Sequence, residues 1–288
     1  MRLFNRQYLL QIGDAETGDG LSINDLQITF SIRKSINNKS KIDRATITIC
    51  NLSDQSLAVL EADYSVVVFS CGYLGDVVRL FFGEVTDVET NKKGPDRATK
   101  IDISPAFTEL THSLMSELVP EGGNITDAIE AIRKQTGLAK GVYKGANLST
   151  EVIYGYPLQG SPRQMLDQVC EVYNLQWRTD GEALYINDSE SVESTNTELA
   201  PVISVETGLI DQPFFITGSD KKSSKDETKK AGVRFTALLN PNVTPGTLVR
   251  VDYKEESNYY KVEEVHFEGD FRGNKWYMTC TCSRRPEA

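Results

Sequence analysis

Two histidines, His112 and His266, are the only imidazoles of the chain, and each has oxygen-bearing neighbours that chemistry would need. His112 lies near Glu109 and Glu117, with Ser113 and Ser116 beside it, the residue types of a base and a nucleophile. A hydroxyl nucleophile needs a base in hydrogen-bond reach and a third group to orient that base. No third partner stands out around His112, so it reads as a solvated or capping residue. His266 alternates with Val265 and Phe267 and reads as a partly exposed strand residue. Glu268 with Asp270, and Glu255 with Glu256, offer carboxylate pairs of the kind that hydrolyse glycosides. Such pairs work only in a cleft that separates their pKa values, and an acidic surface offers many that do not. The chain is therefore expected to be no enzyme, with no catalytic, cofactor-binding or metal-ligating residues and no cofactor.

The five cysteines, Cys50, Cys71, Cys170, Cys280 and Cys282, are odd in number and irregular in spacing, which argues against a disulfide framework. Cys280-Thr281-Cys282 reads as a strand whose two thiols face opposite sides, unsuited to a shared metal, and all five read as small buried hydrophobes. The run Gly155-Tyr156-Pro157-Leu158-Gln159-Gly160-Ser161 puts glycines ahead of a helix, but lacks the Lys-Ser/Thr of a phosphate loop. It reads as a turn into a capped helix. Lys221, Lys222, Lys225, Lys229 and Lys230 form a basic cluster that Asp220, Asp226 and Glu227 dilute, so 218–230 reads as a solvated charged loop. Tyr253, Tyr259, Tyr260, Trp276 and Tyr277 are candidates for a recognition surface, but they fall in predicted strands and read as packing.

Composition narrows the class further. The formal net charge of -10 argues against non-specific nucleic-acid binding, which needs cationic surface to release counterions. An acidic surface keeps a protein soluble, and an acidic wall would also let DNA slide past without sticking. At 288 residues the chain has room for two or three small domains, each burying its own core. No apolar run approaches the roughly 20 residues of a membrane span, and Met1–Gln7 does not read as a secretory leader. The expectation is synthesis in the cytoplasm without membrane insertion.

The elements follow from periodicity. Period-two alternation predicts strands over Arg2–Ile12, Leu26–Ile32, Ala45–Ile49, Val66–Tyr73, Val77–Val88 and Ala98–Ser104, with a short helix at Asp54–Leu60. Sequential hairpins at this spacing suggest a closed or nearly closed barrel over 1–105. In 106–198, helical spacing predicts Asn124–Thr136, stopped by Gly137, and Arg163–Tyr173, with Met165, Leu166, Val169 and Val172 inward. Asp180-Gly181 between two short apolar runs predicts a hairpin. This unit reads as a small α/β module, and Ser189–Thr197 as a linker. A second β-barrel is expected over 199–288, carrying the 218–230 loop. The fold class is thus mainly β with an α+β insertion.

Certain phrases resemble the hub proteins at the tail tip of long-tailed bacteriophages. They include Glu206-Thr207-Gly208-Leu209-Ile210-Asp211-Gln212-Pro213, Gly232–Pro241, Pro245–Val251, Tyr259–Asp270 and Lys275-Trp276-Tyr277. Gln164–Asp167 with Trp177–Ile186, Arg44–Leu52 and Leu80–Val85 fit the same order. The resemblance implies a structural baseplate protein of the virion, with two tube-like barrels per chain, that trimerises into a pseudo-sixfold ring. It also implies partners: a tail tube or distal tail protein on one side, and a spike, fibre or tape-measure protein on the other. DNA would pass through the lumen without specific binding. A cell-wall hydrolase and a receptor- or glycan-binding tip are the alternatives.

Overall fold

A long strand of the second β unit of this chain pairs with a strand of the first and ties the two units together. The computed structural model describes residues 5–14, 20–36, 43–62, 65–188, 200–216, 231–254 and 256–284. The first β unit contains β1 (Arg6–Asp14), β2 (Gly20–Ile23), β3 (Ile28–Ser35) and β4 (Arg44–Cys50). Helix α1 (Asp54–Leu60), β5 (Ser65–Tyr73), β6 (Asp76–Lys93) and β7 (Asp96–Ser104) complete it. Burial alternates strictly where the sequence alternates: Ile28, Phe30 and Ile32 of β3 are buried, while Thr29, Ser31 and Arg33 face solvent. The predicted helix α1 forms because the Ser53 hydroxyl accepts the Ser56 N–H and caps it.

The middle module runs α2 (Phe107–Thr111), β8 (Met115–Val119), α3 (Ile125–Thr136), β9 (Ala139–Lys144), β10 (Tyr156–Gly160), α4 (Pro162–Val172), β11 (Leu175–Thr179) and β12 (Ala183–Asp188). Both predicted helices start at reciprocal capping boxes, Asn124 with Asp127 and Ser161 with Gln164, and α3 ends at Gly137 with φ 70°. The expected hairpin joins β11 to β12, and β9 adds to it in parallel. Val172, expected inward, is 62% exposed, because α4 buries only the stripe of Met165, Leu166, Val169 and Cys170 and its last residue turns away. The Gly155–Ser161 run is more than a turn: Tyr156–Gly160 pairs with β8 before Ser161 caps α4.

The second β unit consists of β13 (Val202–Ile203), β14 (Phe214–Ile216), β15 (Gly232–Leu238), β16 (Leu248–Tyr253), β17 (Glu256–Asp270) and β18 (Trp276–Arg284). The expected linker and the 218–230 loop lie outside the described residues. Cys280 and Cys282 are both buried, with Thr281 facing outward. Residues two apart in a strand share a face, so the expectation of opposite faces is corrected. All five cysteines are free.

The two β units repeat one strand plan. In the first, β3 pairs β4, β4 pairs β7, β7 pairs β6, and the start of β6 folds back on β5. In the second, β14 pairs β15, β15 pairs β18, β18 pairs β17, and the start of β17 folds back on β16. The register is interrupted at matching places, between Val85 and Asp87 in β6 and between Val262 and Glu264 in β17. Each bulge lies where the long strand leaves its first hairpin partner and continues in its second.

The units are joined edge to edge, since β17 beyond its bulge pairs antiparallel with β3 from Glu264↔Ser35 to Asp270↔Thr29. The described strands of both units therefore belong to one 13-stranded sheet. One apolar cluster, running from Leu10 and Ile47 to Phe267 and Trp276, lies beneath it, and the module has a cluster of its own. Beneath the join, Phe30 meets Phe69 at 4.8 Å and Trp276 edge-on at 5.3 Å.

Candidate functional site

The feature that sequence reasoning missed is the seam between β3 and β17. A period-two pattern gives each strand a buried and an exposed face, but not the strand that lies beside it. At the seam Phe267 sits opposite Ile32, and both are wholly buried. Ile36 N–H donates to Glu263 O at 3.0 Å at one end, and Phe271 N–H to Ile28 O at 3.0 Å at the other. On the solvent face Arg33 pairs with Glu264 at 3.3 Å and His266 Nε2 bonds Ser31 Oγ at 2.8 Å. Gln27 donates to Asp270 Oδ1 at 2.6 Å.

Beneath the solvent face, a cavity of about 230 Å³ lies where both β units meet the module. The first unit lines it with Lys34, Asp43, Arg79 and Phe82, and the second with Thr244 and Pro245. The β11–β12 hairpin closes it with Arg178, Asp180 and Tyr185. Asp43 accepts the Ser35 N–H at 2.8 Å, and burial raises its carboxyl to about 7. Burial likewise lowers the Lys34 ammonium to about 8. Arg79 reaches Glu182 at 2.7 Å, and Arg178 lies over the Tyr185 ring at 3.9 Å. These groups balance in charge and clamp the module onto the sheet.

The residues singled out by sequence do not converge. His112 ends α2 on the exposed surface, where Ser113 donates to the Glu109 carbonyl. Glu255 lies outside the described residues, and Glu256 stands at the opposite end of β17 from Glu268 and Asp270. Glu268 contacts Lys275, and Asp270 serves the turn that follows β17. Glu84 and Glu109 do approach one another. Partial burial raises Glu109, a backbone hydrogen bond opposes the rise and Glu84 adds to it, while the Thr108 hydroxyl and N–H donate to Glu84. That pair anchors α2 to β6. Glu109 is exposed and is not among the residues that line the junction cavity. Of the five aromatics expected to pack, Trp276 and Tyr260 are buried, while Tyr253, Tyr259 and Tyr277 are half-buried. Among the described residues no group of three or more His, Cys, Asp or Glu is placed to hold a metal. Among the same residues, no helix is long and apolar enough to cross a membrane.

What the surface offers instead is sheet edge. At one end of the strand path lies β14, which pairs only with β15 among the described residues. Its Phe214 is 69% exposed and Phe215 45%. Within the path, the part of β6 beyond its bulge pairs with β7 alone among the described residues, and Thr86, Asp87, Glu89, Thr90 and Asn91 are exposed. Long unpaired edges invite pairing with another chain.

Solved structures that share this fold include tail proteins. A prophage tail protein from Shewanella oneidensis superposes with a TM-score of 0.64 at 10% identity, over 98% of this chain and 97% of that one. The fold is that of phage tail proteins. A tail protein from Neisseria meningitidis gives 0.65 at 11% identity, over 97% and 96%. An Escherichia coli component of the type VI secretion system, itself described as similar to bacteriophage tail proteins, gives 0.65 at 12%, over 91% and 74%. No family model and no curated protein sequence matches the chain. The likeness is therefore one of fold, and the expectation of a mainly β tail-protein architecture with a small α insertion is met.

Proposed function

We propose that this chain is a structural hub of a phage-type tail tip, in which three copies close a ring of six β units around a channel. One observation carries the reading: a strand plan present twice in one chain, with the two copies already joined edge to edge through β3 and β17. A join repeated between molecules generates a closed ring when the rotation returns to its start. With two like units per chain, three chains present threefold symmetry to one neighbour and near-sixfold symmetry to another. That suits a part joining a hexameric tube or distal tail protein to a trimeric spike, fibre or tape-measure end. In this reading residues 1–105 and 199–288 are wall segments and 106–198 is a module docked on them.

The solvent face of the sheet would line the channel, because the strands and helix on its other side need the wider outer circumference. That face is rich in Thr and Ser: Thr29, Ser31, Thr46, Thr48, Thr279 and Thr281. Several of its carboxylates are partnered, Asp102 by Lys100 at 2.7 Å and Thr46 at 2.6 Å, and Glu264 by Arg33. Of the cations on this wall, Arg33 and Lys100 are held by carboxylates, which favours passage of DNA with little adhesion. The role is structural, and the chain would reside in the virion tail.

Mass photometry and electron microscopy of the purified chain test this. Threefold rings are expected, and a monomer that persists at assembly concentrations counts against the reading. Clearing of peptidoglycan in a zymogram would overturn the structural assignment in favour of a hydrolase.

A further inference from the structure

The seam inside the chain supplies a template for a contact between chains. Counting outward from the two matching bulges, Val88 and Thr90 of β6 occupy the places of Val265 and Phe267 of β17. Counting through the pairings β4–β7 and β15–β18, Phe215 of β14 occupies the place of Ile32 of β3. Ile32 and Phe267 are wholly buried at the seam, whereas Phe215 is 45% exposed and Thr90 is exposed. The same positions are covered where a neighbouring unit is present and bare where it is not.

A second feature follows the same correspondence. The junction cavity is walled on the first unit by Asp43, Arg79, Leu80, Phe81 and Pro105. Their counterparts, Ala231, Glu256, Ser257, Asn258 and Arg284, line a groove of about 690 Å³ that also includes Phe215 and Ile216. In the first unit Thr244 and Pro245 of the second unit's β15–β16 turn, together with the module hairpin, reduce the space to about 230 Å³. No segment of the same chain plays that part in the second groove among the described residues. Counted back from β16 onto β5, Thr244 takes the place of Ala62, just past the end of α1, where Glu61 and Ala62 are exposed.

Given the ring proposed above, we infer that β6 beyond its bulge pairs antiparallel with β14 of the next copy, with Thr90 opposite Phe215, while Glu61 and Ala62 enter that copy's open groove. Glu89 then faces Ile216 and Asn91 faces Phe214. The contact is heterologous, edge to a different edge, as ring closure requires. It pairs the backbone of β14 on its free side and covers the Phe215 side chain, an apolar group that a stable monomer has no reason to expose beside an open groove.

Cysteines at the two positions test the register in the full chain. Residues directly opposite in an antiparallel pair hold their β-carbons about 4.5–5.5 Å apart, within the geometric reach of a disulfide after small adjustment. Oxidised Thr90→Cys/Phe215→Cys protein is expected to run as a covalent trimer on denaturing gels, while either single variant gives none. Amide exchange of the unmodified chain should show 87–92 and 214–216 becoming protected together as rings form. Threefold rings with no cross-link and no joint protection overturn this pairing and leave the ring reading standing. A monomer at every concentration overturns both.

Discussion

Gly269 lies opposite Phe30 across the seam, so close that a β-carbon on it would stand 2.2 Å from two atoms of that ring. The ring in turn meets Phe69 and Trp276, so it has little room to retreat. Gly269→Ala should therefore destabilise the chain by about 1–3 kcal/mol, the usual cost of overpacking a filled core. A urea titration should show the midpoint falling with an unchanged slope. A midpoint equal to that of the unmodified chain would mean that the Phe30 ring is free to move.

Asp43 makes stability depend on pH. Its unfolded carboxyl titrates near about 4, whereas burial holds the folded one to about 7. Between those values the folded chain keeps a proton that the unfolded chain has released, so stability falls as pH rises from about 4 to about 7. Lys34 acts in a separate window. Its folded ammonium titrates at about 8, so the stability tied to its neutral form is present above the unfolded value and is lost as pH falls through about 8. Thermal melts from pH 4 to 7 should show the first decline, and Asp43→Asn should flatten it because an amide can still accept the Ser35 N–H. A decline of equal slope in the variant would assign it to other groups.

Local rules carried the elements much further than they carried the site. Asn124, Ser161 and Gly137 bound their helices because capping is settled within one turn of the chain. Asp180-Gly181 likewise marked a hairpin. The seam was not legible, since Glu264 and Ser35 are brought together across most of the chain by no local signal. The repeat was equally hidden, because matching positions share only a place in the pairing: Thr90 and Phe267 occupy one position, and so do Ser31 and Phe214. Sequence patterning reports burial, and at an open edge the residues that await a partner read as ordinary surface or as ordinary core.

The thiols should report how firmly this core is closed. Burial pushes Cys71, Cys280 and Cys282 up, which keeps them protonated and unreactive at neutral pH, while Cys50 is only partly buried. Ellman's reagent should label Cys50 first, with the other thiols following only on the timescale of unfolding. Rapid labelling of Cys280 or Cys282 in native protein would show that β18 opens locally, and would undercut the rigid wall that a ring requires.

Gly181, at the tip of the β11–β12 hairpin, holds the module against the sheet. It has φ +91°, and a β-carbon there would lie 2.7 Å from Phe82 Cδ1 and 3.0 Å from the Phe82 carbonyl. A larger residue meets both an unfavourable backbone conformation and a steric block. Gly181→Val should lift the hairpin off β6 and weaken the Arg79–Glu182 contact beside it. The module has its own buried cluster, so α3 and α4 should stay folded while the hairpin loosens. Hydrogen exchange should then rise severalfold in β11, β12 and the adjoining part of β6, with the amides of α3 unchanged. Exchange rising equally throughout α3 would show instead that the module depends on this contact for its own folding.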